Sequence, residues 1–174
     1  MSVNMVTYIA LVRAANVGGT GMLPMAELQA MCREAGFGRV RTYIASGNVI
    51  FESATNAKSV KAELETRLSA RACRPVDVIV RTASEMAAVL KANPFAKAAP
   101  NRTLVIFLND PPPKDALARA TGVQDEEMRL GEREIYVRYG ERMGISKLKI
   151  PAAKAGTGRN INTIAKLTEM ASQP

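Results

Sequence analysis

The chain has 174 residues, 47% of them apolar and 23% charged, with a net charge of +8 and no histidine. This composition is that of a globular protein, long enough to bury about 70% of its unfolded surface. It excludes every mechanism that needs an imidazole: Ser-His and Cys-His nucleophile pairs, histidine general bases and histidine-ligated metals. Cys32 and Cys73 are the two cysteines; both fall in amphipathic helical stretches and read as small, reduced core residues rather than a disulfide. Two thiols are too few for a structural zinc site, and no acidic cluster suggests a carboxylate-bound ion, so neither metal nor cofactor is expected. No apolar run approaches the roughly 20 residues of a membrane helix. Met1 to Val6 lacks the pattern of a signal peptide. The expectation is a cytoplasmic protein with no membrane partner.

Val6 to Arg13 reads as the first strand, apolar and β-branched. Pro24 starts a helix, because its fixed φ and missing N–H suit the first helical position; Met25, Leu28, Met31, Cys32 and Ala35 form its buried stripe. Gly36 and Phe37 read as a left-handed C-cap with its hydrophobic contact. Val40 to Ile44 and Asn48 to Phe51 form a hairpin around Ala45-Ser46-Gly47. Asn56 caps a second helix with Val60, Leu64 and Leu68 inward and Glu63 paired to Arg67. Val76 to Arg81 is the next strand. The order βαββαβ is the ferredoxin-like unit.

From residue 82 the plan repeats. Ser84 caps a short helix through Met86, Val89 and Leu90, broken at Asn93-Pro94-Phe95. Thr103 to Asn109 is a strongly apolar strand. Pro111-Pro112-Pro113 launches a helix with Leu117 inward. Glu127 to Leu130 and Glu134 to Tyr139 form a second hairpin about Gly131, and Ile161, Ile164, Leu167 and Ala171 line a final helix. The fold class is α+β in two related halves, 1–81 ferredoxin-like and 82–174 strand-helix-hairpin-helix, packed into one compact unit. Ile9 and Leu11 oppose Tyr8, Ala10 and Val12, and Leu104, Ile106 and Leu108 oppose Val105 and Phe107. Both central strands are therefore expected to be buried on both faces, unlike a sheet with one solvated face. The expected core is Ile9, Leu11, Val12, Val49, Phe51, Leu104, Ile106 and Phe107. Mutual cover by the halves favours a monomer, with a homodimer as the alternative.

Two glycine-bearing stretches are candidate binding elements. Asn16-Val17-Gly18-Gly19-Thr20-Gly21 joins a strand to a helix, where backbone N–H groups can turn toward an anion. Its spacing matches neither the dinucleotide nor the P-loop pattern, and a turn needing positive φ is the alternative. Gly156-Thr157-Gly158-Arg159-Asn160 precedes the final helix, whose free N–H groups and an exposed, fork-shaped Arg159 could hold phosphate or carboxylate, with Lys147 and Lys154 sharing the field. There the alternative is that Asn160 or Asn162 is an N-cap and Arg159 a surface pair. Arg13 ends an apolar strand and needs an acid or a ligand. Ser46 and Asn48 sit at the hairpin on the same sheet, unless Asn48 merely bonds local backbone.

Ala10-Leu11-Val12-Arg13 through Asn16-Val17-Gly18-Gly19 resembles a bacterial family known as domain of unknown function 1697. The likeness continues through Met25, Leu28, Gly36-Phe37, Val40, Thr42-Tyr43 and Ser46-Gly47-Asn48-Val49 to Phe51. It recurs at Asn93-Pro94-Phe95, Ser146-Lys147-Leu148, and Thr157, Arg159, Asn160, Thr163, Lys166 and Leu167. The resemblance spans nearly the whole chain and implies a two-part α+β fold without an established activity. The chain departs from the family pattern at Ala14 and Ala15, where Gly and Ile are usual, and at Ile161, where an aromatic often follows the Arg-Asn pair.

The leading expectation is an uncharacterised cytoplasmic protein that binds a small anionic or polar ligand, a nucleotide among the candidates. Its site would use Arg13, Asn16, Gly18, Gly19, Ser46, Asn48, Lys147, Arg159 and Asn160. A second reading is nonspecific nucleic-acid binding through the basic residues from Arg138 onward. RRM-type recognition is not among the expectations, because Ser46 and Asn48 stand where its stacking rings belong and only four Tyr and four Phe exist. A third is a histidine-independent, metal-independent enzyme using Lys147 or Ser46, and a fourth is a protein-interaction domain.

Overall fold

A computed structural model describes residues 3–13 and 23–174 of the chain. The fold is mixed α+β, with two four-stranded antiparallel sheets and four α-helices among the described residues. The chain divides into two compact units, Met1–Met86 with Leu167–Pro174, and Ala87–Lys166. The final helix therefore contributes to both. No helix among the described residues is long and apolar enough to cross a membrane.

The first unit contains β1 (Val6–Val12), α1 (Met25–Glu34), β2 (Gly38–Tyr43), β3 (Asn48–Ser53), α2 (Ala57–Ala72) and β4 (Val78–Thr82). Its strand order is β2-β3-β1-β4. Period-two alternation sends Tyr8, Ala10 and Val12 into a core with Leu28 and Cys32 of α1 and Val60, Leu64 and Leu68 of α2. Gly36 ends α1 with φ +86°, the Phe37 N–H bonds Cys32 O at 3.0 Å, and the Phe37 ring stacks on Phe51 of β3 at 4.4 Å. Ile9, Leu11, Ile50 and Ile79 alternate with these residues and are also fully buried. Asn56 caps α2 by accepting the Ser59 N–H, and Glu63 pairs with Arg67 at 2.6 Å, as its spacing requires.

The second unit contains β5 (Thr103–Phe107), β6 (Glu127–Leu130), β7 (Glu134–Arg138) and β8 (Thr157–Asn160), in the order β6-β7-β5-β8. Helices α3 (Ala83–Lys91) and α4 (Ile161–Ser172) flank it in sequence. Ile106, Leu108, Ile135, Val137 and Ile150 form its core on one face, joined by Leu117, Ala120 and Leu148 from irregular chain.

Several expectations are corrected. No helix follows the three prolines: Lys114 to Arg119 is a turn held by scattered bonds such as Ala116 N–H to Pro113 O and Ala120 N–H to Leu117 O. So short a segment cannot offset the cost of helix nucleation, and Thr121 leaves it to bridge with Lys149. Gly156 to Asn160 is not a loop, because Thr157 onward pairs with β5 as an edge strand. Pro24 is the N-cap of α1 rather than its first residue. The cap of α3 is Thr82, not Ser84: Thr82 Oγ1 accepts the Glu85 N–H while Glu85 accepts the Thr82 N–H, a reciprocal capping box. Cys32 is buried as expected, but Cys73 is exposed, because it ends α2 in the left-handed conformation with φ +54°. Leu104 is half-buried; the other expected core residues are buried.

Candidate functional site

A polar cavity lies at one end of the first sheet. Val12, the last residue of β1, donates its N–H to Gly47 O at 2.9 Å, which brings the β2–β3 hairpin beside the strand end. Arg13, the next residue, donates its N–H to Asp77 O at 3.0 Å, and its guanidinium meets Asp77 Oδ2 at 3.3 Å. The acid that Arg13 required is thus Asp77, on the chain entering β4. Arg74, Pro75 and Val76 complete a cavity of about 270 Å³ around Arg13 and Asp77. Arg74 is exposed and makes no ion pair among the described residues. The Asp77 side chain is 58% exposed and that of Arg13 35%, so water partly screens the pair.

Of the sequence-predicted residues, Arg13 and Ser46 lie at this end of the first sheet. Asn16, Gly18 and Gly19 fall outside the described residues, in the segment that follows Arg13. Asn48 pairs across from Leu11 and is completely buried; its side-chain amide donates to Tyr43 O at 3.1 Å, so it closes the hairpin rather than facing the cavity. Ser46 is half-buried.

The other three belong to the second unit. Asn160 is the N-cap of α4, its Oδ1 accepting the Thr163 N–H at 2.9 Å. That bond occupies one of the N–H groups expected to face an anion. Arg159 is not an exposed fork but a buried residue, donating to Thr157 Oγ1 at 2.8 Å and Gly158 O at 3.0 Å. Desolvation pulls its pKa down to about 10. The flanking glycines are explained by packing: a Cβ on Gly156 would stand 2.7 Å from Phe107 O, and one on Gly158 would stand 3.0 Å from Leu104. β8 needs them to approach β5. Lys147 is exposed, and its ammonium makes no hydrogen bond or ion pair among the described residues. It therefore lacks the desolvation a nucleophilic lysine needs.

Arg74 and Asp77 did not emerge from motif reading. The available signal was strand pairing: if β1 and β4 are antiparallel neighbours, the chain entering β4 must lie beside the end of β1. Ser146 also has a defined role. It donates to Glu126 Oε1 at 2.5 Å and accepts the Leu148 N–H at 3.2 Å, tying the Ser146-Lys147-Leu148 run to the chain before β6. The Gln124 N–H and the Ser146 hydroxyl hold the Glu126 carboxyl below its usual pKa.

A family model described as "Protein of unknown function (DUF1697)" matches residues 5–136. The chain belongs to this family. Its fold is similar to that of the conserved bacterial protein SP0830 from Streptococcus pneumoniae, with a TM-score of 0.80 and 26% identity over 97% of this chain and 100% of that one. No curated protein matches the sequence. The family match covers the Arg13 cavity, the first sheet and the second sheet as far as β7, while the structural likeness extends through β8 and α4.

Proposed function

We propose that this family member binds a small anionic ligand, such as a nucleotide or another phosphate ester, at the Arg13 end of the first sheet. The observation that carries the reading is two guanidinium groups, Arg13 and Arg74, set around one carboxylate, Asp77, in a single cavity. Arg74 makes no ion pair among the described residues and brings its positive charge to the cavity for a ligand. Arginine offers phosphate a planar pair of donors. At about 270 Å³ the cavity is just below the roughly 300–1,000 Å³ of ordinary ligand pockets, so it takes the anionic group while the rest of the ligand stays outside. The strand order β2-β3-β1-β4, with α1 and α2 on one face, supports a ferredoxin-like reading of this half.

Base stacking has little support here. Tyr8, Phe37 and Phe51 are buried on the helix side, while the opposite sheet positions carry Ile9, Leu11, Ile50 and Ile79. The basic C-terminal stretch also offers less to nucleic acid than its sequence suggests, since Arg138 pairs with Glu127 and Arg159 is buried.

The test is titration of inorganic phosphate and mononucleotides against the wild type and Arg74→Ala. Arg74 has no partner to lose among the described residues, so the variant should fold normally while binding is weakened by about 1.5–3 kcal/mol. Equal affinities would remove Arg74 from the site and overturn the reading. Oligonucleotide binding that falls steeply with salt and ignores competing mononucleotides would favour the nucleic-acid alternative.

A further inference from the structure

The Asn93-Pro94-Phe95 run has no part in the anion site, yet it builds one wall of a larger cavity in the second unit. Asn93 Oδ1 accepts the Phe95 N–H at 3.0 Å, and Ala98 donates to Phe95 O at 2.9 Å, so the chain leaving α3 is wound into a short strap. The facing wall is a cross-strand pair, Glu127 of β6 opposite Arg138 of β7. Together Pro94, Phe95, Lys97, Ala98, Glu127 and Arg138 enclose about 500 Å³, inside the roughly 300–1,000 Å³ of ligand pockets.

The unused bonding capacity defines what fits. Arg138 directs both Nε, at 3.0 Å, and Nη2, at 2.5 Å, to the same oxygen of Glu127, and Nη2 reaches Asp125 O at 3.5 Å. Its Nη1 donors have no partner among the described residues. Lys97 is exposed and makes no ion pair among them. Two cations against one carboxylate leave one positive charge beside a wall of proline, phenylalanine and alanine. We infer that this cavity is a site for a small monocarboxylate with an apolar body. The carboxylate accepts from Arg138 Nη1 and the Lys97 ammonium, and the hydrocarbon covers Pro94, Ala98 and the exposed part of Phe95. A dianionic phosphate suits the cavity poorly, because it brings a second charge against Glu127 and buries no apolar surface.

Hexanoate, titrated against the full chain and followed by backbone amide shifts, tests the assignment. A ligand of this size should saturate on the order of millimolar. The shifts should appear at residues 95–98, 127 and 138, and hexanol should bind about tenfold more weakly, the loss of roughly one charged hydrogen bond. Lys97→Ala should weaken hexanoate severalfold and leave hexanol unchanged. Arg138→Gln should act in the same direction, but it also removes a cross-strand pair, so Lys97→Ala, which has no partner to lose among the described residues, is decisive. The inference is overturned if hexanoate moves none of these amides, if hexanol and hexanoate bind alike, or if Lys97→Ala leaves hexanoate affinity unchanged. None of these outcomes depends on the Arg13 site.

Discussion

In the first sheet β1 lies between β3 and β4, and in the second β5 lies in the corresponding place between β7 and β8, yet the chain that covers each sheet is different. On the first, α1 and α2 bring Leu28, Val60, Leu64 and Leu68 onto one face. On the second, the same duty falls to turns and irregular chain carrying Leu117, Ala120, Leu148 and Ile150. The sheet ends differ in the same way. Where β1 ends and the chain enters β4, the cavity is ringed by Arg13, Arg74 and Asp77. Where β5 ends and the chain enters β8, a cavity of about 320 Å³ is lined by Leu108, Pro111 to Pro113, Ala152 and Ala155. Strand pairing sets where a hollow forms, because antiparallel neighbours bring one strand's end beside another's beginning. The side chains at that position decide whether it attracts an anion. Equivalent topology is thus no argument for equivalent chemistry.

The largest test of the comparison concerns the covers. Leu64→Ala, in the helical cover, should cost about 2–5 kcal/mol, as expected for a fully buried leucine that leaves a cavity. Leu117→Ala, half-buried on a turn, should cost about 1 kcal/mol, because the surrounding chain is freer to collapse onto the space. Urea midpoints of the two variants measure both. A Leu117 loss equal to that at Leu64 would mean that the irregular cover packs as tightly as helices do.

A smaller effect is expected at Arg159, where the choice between binding and folding is sharpest. Loss of its bonds to Thr157 Oγ1 and Gly158 O in Arg159→Ala should destabilise the protein by about 1–3 kcal/mol. Phosphate affinity should not change. A variant that melts like the wild type but loses phosphate would return Arg159 to the site.

The remaining test is a titration, with one group in each unit. Burial pushes the Cys32 thiol up to about 12 from 9.0, and the Tyr136 phenol up to about 12 from 10.0, with the Glu134 charge adding to the latter. Both pKa values are raised on folding, so their stabilising share is intact below the unfolded values. It is lost as pH rises through about 9 to 12. Denaturation midpoints should therefore fall across that window, and Tyr136→Phe should flatten the part above pH 10. At neutral pH a thiol reagent should label Cys73 rapidly and Cys32 only after denaturation. Rapid labelling of both thiols would show that the α1 cover opens as readily as a loop.

Much of the molecule follows from local signals that are self-sufficient. The alternation in Val6 to Val12, the Asn56 cap, the Gly36 turn and the hairpins about Gly47 and Gly131 need only a few neighbouring residues to specify them, and each stands as its sequence indicates. Double-sided burial of β1 was legible for the same reason, since both faces are apolar from Tyr8 to Val12. The candidate site was legible in part, at Arg13, a charged residue following an apolar strand, and at Ser46 in the adjoining hairpin. The partner of Arg13, Asp77, is 64 positions away, and only pairing of β1 with β4 reveals it. The sequence Gly-Thr-Gly-Arg-Asn before α4 is equally suited to an anion loop and to an edge strand. Tertiary structure made it β8, because β5 had an unpaired edge whose backbone groups needed partners, and only glycine permits so close an approach. That pairing buried Arg159 and removed it from the surface. Sequence alone determined most of the elements, and its lack of histidine excluded imidazole chemistry. Tertiary structure decided which charges remain accessible, because accessibility is a property of what packs around a residue rather than of the residue itself.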